Sequence, residues 1–117
     1  MEISTNVIRG VLILTITGRM DSYFTEELGV ATFNFPDKPI ILDVTQVEYV
    51  NSSALRALHE FKRSLQVHGT PLILVEKSEG FTNKILEMSG FNRIFHVVPS
   101  VPEALQALSS ENTEKNR

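Results

Sequence analysis

The chain contains no cysteine, so it holds neither a disulfide nor a thiolate metal site. Charge of one sign is not concentrated anywhere. Eleven basic and 14 acidic residues give a net charge of −3, and the clustered Lys/Arg footprint of a nucleic-acid binder is missing. Long apolar runs are absent as well, none approaching the ~20 residues that cross a bilayer as a helix. The opening MEISTNVIRG has neither the basic head nor the apolar middle of a secretory leader. These absences lead us to expect a soluble, cytoplasmic protein without direct membrane insertion and without a nucleic-acid partner.

Sites with recognisable signatures are missing too. Neither G-x-G-x-x-G nor G-x-x-x-x-G-K-[ST] occurs, so no phosphate-cradling loop is indicated, and there is no G-x-S-x-G nucleophile elbow. His59, His68 and His96 lack the spacing of a metal set. The sequence nominates no catalytic residue, no metal ligand and no cofactor-binding residue, and we expect no cofactor and no enzymatic activity.

What the chain does have is organised around residues 40–65. Ile40, Ile41 and Leu42 read as an apolar strand, followed by a polar connection and then Asn51-Ser52-Ser53. From there Ala54, Leu58, Phe61 and Leu65 recur at helical spacing. Asn and Ser favour helix starts because their side-chain oxygens accept from free backbone N–H groups. A helix start also attracts negative charge. The tripeptide is therefore either a plain cap, a modification site or a partner contact.

Around this centre, residues 7–8 and 11–16 read as a hairpin turning at Arg9-Gly10, with Gly18 ending the second strand. Asp21 or Ser22 caps a short helix carrying Phe24, Leu28 and Ala31, and residues 33–39 form a proline-bearing loop. Gly69 closes the long helix, and residues 72–75 are a buried strand. Residues 81–88 form a helix with Phe81, Ile85 and Met88 on its apolar face, and residues 94–98 are a last strand. Ser100 and Glu103 have capping-box spacing before a short helix marked by Leu105 and Leu108. Strand–helix–strand units with short loops favour parallel pairing. The expected fold is α/β: a single domain over residues 1–109, with a mixed, mostly parallel sheet of about five strands, parallel from the third on, and about four helices. Residues 110–117 are expected to be a disordered polar tail.

Two further features have plain explanations beside functional ones. Asp43, at the expected end of the third strand, sits where α/β sites tend to lie, yet a strand-ending Asp commonly bonds its own turn. Arg56, His59, Lys62 and Arg63 form a mildly basic flank of the long helix, either simply solvated or able to seat an acidic partner.

Three segments together resemble the STAS domain, and within it the stand-alone anti-sigma factor antagonists of bacteria. Gly18-Arg19-Met20-Asp21 is similar to the family's Gly-x-Leu-Asp. Ile41-Leu42-Asp43-Val44 with Val50-Asn51-Ser52-Ser53-Ala54-Leu55 is similar to its Leu-Asp-Leu and Ile-Asp-Ser-Ser-Gly-Leu, and residues 85–91 to its Leu-x-x-x-Gly-Leu helix end. Asn51 stands for the usual Asp and Ala54 for the usual Gly. The resemblance implies a partner-switching protein. Unphosphorylated, it would bind an anti-sigma factor that is also a serine kinase and so release the sigma factor. Ser52 would be the phosphoacceptor, ahead of Ser53, and a PP2C-type phosphatase would reset the switch. Asp21, Ser22, Asn51, Ser52, Ser53, Ala54 and Arg56 would form the partner surface. The alternative is a non-switching STAS scaffold subunit of a stress-signalling or lipid/anion transport complex.

Overall fold

The computed structural model describes residues 1–115, with side chains through Ser109. Five strands, β1 (Glu2–Ile8), β2 (Val11–Met20), β3 (Ile40–Val50), β4 (Leu72–Val75) and β5 (Val97–Val98), form one sheet in the order β1-β2-β3-β4-β5. The β1–β2 pair is antiparallel and the other three pairs are parallel. Four α-helices accompany them: α1 (Phe24–Thr32), α2 (Ser52–Val67), α3 (Phe81–Ser89) and α4 (Val101–Lys115).

The hairpin is built as its dipeptide requires. Arg9 and Gly10 have φ of 52° and 78°, and positive φ at both central positions is the turn whose twist matches the strands it joins. From β2 onward each crossover steps to the next strand in the same direction. A constant crossover hand therefore places α1, α2 and α3 on one face, and alternation along the strands separates two cores. Leu12, Leu14, Ile16, Ile40, Leu42, Val44 and Leu74 pack with Phe24, Leu28, Ala54, Leu58 and Leu86 from those helices. Val11, Ile13, Ile41, Ile73 and Val75 point the other way, onto Ala104 and Leu108 of α4.

Several expectations are corrected. Gly18 does not end β2, which continues to Met20; the register against β3 shifts between Gly18 and Arg19. Gly18 takes φ 86°, so it absorbs an irregularity that a residue with a Cβ resists. The polar connection expected after Leu42 is strand as well, because β3 runs unbroken to Val50 with Val44 and Val47 buried. Residues 94–98 contribute only Val97–Val98 as strand, after a 3-10 turn over Phe91–Arg93.

The face of α3 differs too. Thr82 and Leu86 are buried, whereas Phe81 is 44% and Met88 85% exposed. The final helix runs from Val101 to Lys115, so it overlaps the expected tail. The tail's side chains, and residues 116–117 altogether, lie outside the described residues. Ser100 does cap that helix, its Oγ accepting from Glu103 N at 3.3 Å.

Candidate functional site

The carboxyl ends of β2 and β3 create the site. Residues 44–50 extend β3 beyond its last pair with β4, Asp43↔Val75, and lie along β2 as far as Met20↔Val50. The bond from Asn51 N to Met20 O (3.2 Å) closes this ladder. Both strands thus stop together, and Asp21-Ser22 leaves the sheet beside Asn51-Ser52, though some thirty residues separate them in the chain.

At this edge the helix start is fully defined. Asn51 has extended backbone (φ −100°, ψ 173°) and its Oδ1 accepts from Ala54 N at 2.9 Å. Its carbonyl accepts the first helical bond, from Leu55 N at 3.1 Å. The amide alone therefore does the capping. Ser52 and Ser53 are both exposed, and neither hydroxyl has a hydrogen-bond partner among the described residues. Within the tripeptide the cap is Asn51, and the serines are left available. Arg56 is exposed one turn after Ser52, the i, i+4 spacing at which helical side chains meet.

Asp21 does not cap α1. Its Oδ1 accepts from Tyr23 N at 3.1 Å, Tyr23 occupies the cap position without a side-chain bond, and Ser22 is exposed. Ala54, expected among the partner contacts, is fully buried in the core below α2. Its methyl group anchors the first turn to the sheet and presents nothing to a partner. Asp43 is also structural: its Oδ1 accepts from Thr45 N (3.0 Å) and Thr45 Oγ1 (2.7 Å). These bonds hold the β3 side of the register shift between Thr15 and Thr17 of β2. Two members of the supposed basic flank are engaged elsewhere. Lys62 Nζ donates to Ile94 O and lies 5.3 Å from the Phe95 ring centre, and the His59 ring is 5.6 Å from that of Phe91. Arg56 and Arg63 remain exposed.

Two features carried no local signal. Arg19 stacks 3.8 Å over the Tyr49 ring, a pairing set by the β2–β3 register. Glu76 is only 3% exposed, and its carboxylate accepts from Lys77 N (2.9 Å) and from Thr82 N (3.1 Å) in the first turn of α3. A Cβ at Gly80 would collide with that carboxylate. The chain gives α3 an anionic cap from six residues upstream, outside any capping box.

Among the described residues no group of His, Cys, Asp and Glu is arranged to hold a metal ion, and no helix is long and apolar enough to cross a membrane. The arrangement is a pair of exposed serine hydroxyls on an amide-capped helix start of a small α/β domain. The STAS domain family model matches residues 2–104, and the chain belongs to that family. A Bordetella bronchiseptica protein named as an anti-sigma factor antagonist, BtrV, is 26% identical over 113 residues, 94% of this chain and 97% of its own length. Among solved structures, an anti-sigma factor antagonist from Mycobacterium paratuberculosis superposes with TM-score 0.76 at 19% identity, covering 91% of this chain and 92% of the other. The antagonist SpoIIAA in its unphosphorylated form gives 0.71 at 17% identity over 93% and 97%. Its phosphorylated form, from Bacillus, gives 0.66 at 19% identity over 92% and 99%.

Proposed function

We propose that this protein is an anti-sigma factor antagonist whose binding is controlled by phosphorylation of Ser52. Unphosphorylated, it docks on an anti-sigma factor that is also its serine kinase, and the sigma factor is released. Phosphorylated, it no longer docks, and a PP2C-type phosphatase restores it. The protein is substrate and ligand, and supplies no catalysis of its own. The contact surface comprises Asp21, Ser22, Asn51, Ser52, Ser53 and Arg56, with Ala54 as its buried support.

The observation that carries this reading is the division of labour at the start of α2. Asn51 caps the helix, and Ser52 stands exposed with its hydroxyl unengaged among the described residues. A phosphate there adds about −1.5 to −2 charges at one surface point. It would meet the positive end of the helix and the Arg56 side chain, so the fold tolerates it. A partner surface shaped for a neutral hydroxyl does not. Further support comes from the antagonists that share the fold, one of which is known in both phosphorylation states.

The direct test is incubation with the cognate kinase and ATP, followed by mapping of the modified residue by mass spectrometry. One phosphate, on Ser52, is expected, and none on the Ser52→Ala variant. An unmodified protein after complete kinase treatment, together with partner binding indifferent to both Ser52→Ala and Ser52→Asp, would replace the switch with a constitutive scaffold.

A further inference from the structure

The two edges of the sheet are finished differently. β5 is only Val97–Val98, and Pro99 follows it. A very short strand beside a proline is one way to blunt an edge against pairing. β1 has no such protection. It is seven residues long, Glu2–Ile8, and contains neither proline nor lysine. Its register against β2 is unbroken, so no bulge twists it away. Val7, 42% exposed, lies on it. The hairpin decides which of its backbone groups are free. Ile8↔Val11 flanks the two-residue turn, and that flanking pair exchanges both its bonds within the hairpin. By alternation Asn6, Ser4 and Glu2 also bond to β2. Ile3, Thr5 and Val7 therefore aim their N–H and C=O groups outward, and among the described residues no loop or helix takes them up.

We infer that β1 pairs antiparallel with β1 of a second copy, joining two five-stranded sheets into one about a two-fold axis. The strand is self-complementary about Thr5. With Thr5 on the axis, Ile3 faces Val7 of the copy, Thr5 faces Thr5, and Val7 faces Ile3. All three residues are β-branched, and all pair with the β2 residues of one core face, Leu12, Leu14 and Ile16. They are also the residues whose backbone groups are free, so each exchanges both bonds with its partner. Cross-strand pairs of this kind stabilise sheets. On the other face Ser4 meets Asn6, polar against polar. Sliding the copies by two residues either way sets Thr5 against Ile3 or Val7 and shortens the ladder. The charges agree with the central register. Glu2 is the strand's sole charge, and the two copies of it stand about 20 Å apart, beyond the screening length, each beside the Arg9 turn of the other copy. Thr5 pairs with Leu14, and β2 runs on to Met20, so the axis lies about 20 Å from the edge that holds Ser52. The two Ser52 edges face opposite ends of the pair, and both stay open. The inference does not depend on the role of Ser52.

The absence of cysteine allows a direct test on the full chain. Thr5→Cys puts one thiol of each copy at the axis, at a Cα separation of about 5.5 Å, which a disulfide spans. Mild oxidation should give a covalent dimer, whereas Glu87→Cys, exposed on α3, should give far less. Sedimentation velocity over a concentration series should show the wild type in a reversible and weak monomer–dimer equilibrium, because one added strand makes a small interface. Thr5→Pro and Thr5→Lys should each weaken it at least tenfold. The first removes the bonds at the axis, and the second sets like charges directly opposite each other. Both should stay close to the wild-type urea midpoint, because Thr5 is exposed and its N–H points away from β2; this separates loss of association from loss of folding. A wild type that stays monomeric at the highest attainable concentration would overturn the inference and leave the edge to a strand of another protein. A dimer that survives both Thr5→Pro and Thr5→Lys, or Thr5→Cys cross-linking no faster than Glu87→Cys, would overturn it in favour of a different surface.

Discussion

Two helices begin at the same edge of the sheet and are finished in opposite ways. The start of α3 is closed. Glu76, buried and remote in sequence, places a carboxylate against its first turn, and Gly80 must stay small to admit it. The start of α2 is open, capped by the neutral amide of Asn51, with no acidic residue in its first turn. α1 carries Glu26 and Glu27 in its first turn, and α4 carries Glu103. The charge that complements a helix dipole is thus built into α1, α3 and α4 and missing from α2. The helix start that still lacks an anion is the one that presents two free serines. The phosphate proposed for Ser52 would supply there, reversibly, what Glu76 supplies permanently to α3.

The largest effect expected from this contrast is on binding. Ser52→Asp, which puts a fixed charge at the open start, should weaken docking on the cognate anti-sigma factor about thirtyfold or more, whereas Ser52→Ala should bind like wild type. Titration calorimetry with both variants decides it. Next comes stability at the closed start. Glu76→Ala strands two backbone donors and should cost about 2–4 kcal/mol in urea unfolding. Asn51→Ala, at the open start, should cost only about 1 kcal/mol, because the local cap can be replaced by water. Equal losses in the two variants would erase the distinction between the helix starts. The smallest effect concerns phosphorylation itself. Phosphate on Ser52 should raise the unfolding free energy by about 0.3–1 kcal/mol at low ionic strength, and added salt should shrink the gain. A drop in stability of similar size would show that the open start does not accommodate the charge.

The sequence made the element order, the hairpin turn and the long helix legible, because Arg9-Gly10, Gly69 and the spacing of Ala54, Leu58, Phe61 and Leu65 are local signals. Gly69 has φ 69°, and the bonds from Gly69 N to Gln66 O (3.1 Å) and Thr70 N to Leu65 O (2.9 Å) form the closing motif its position implied. Misread features depended on distant partners. The second half of β3 looks like a polar connection because Thr45, Gln46 and Glu48 alternate with Val44 and Val47, and only pairing with β2 makes it strand. Phe81 and Met88 suggested the buried face of α3 by hydrophobicity, yet capping by Glu76 and packing of Thr82 and Leu86 turn the helix by about a third of a rotation. At the site, Asn51 and the serines were legible from their residue types. That the two serines take no part in the cap shows only in the folded helix start, and that Arg19 stacks on Tyr49 follows from the sheet register.

The central claim is that charge gained at Ser52 acts on the partner and not on the fold. It is tested most directly by measuring partner affinity and urea stability on one homogeneously Ser52-phosphorylated sample beside its unmodified counterpart. The account predicts lost affinity with stability equal to or slightly above that of the unmodified protein. Undiminished affinity, or affinity lost only in step with unfolding, would contradict it.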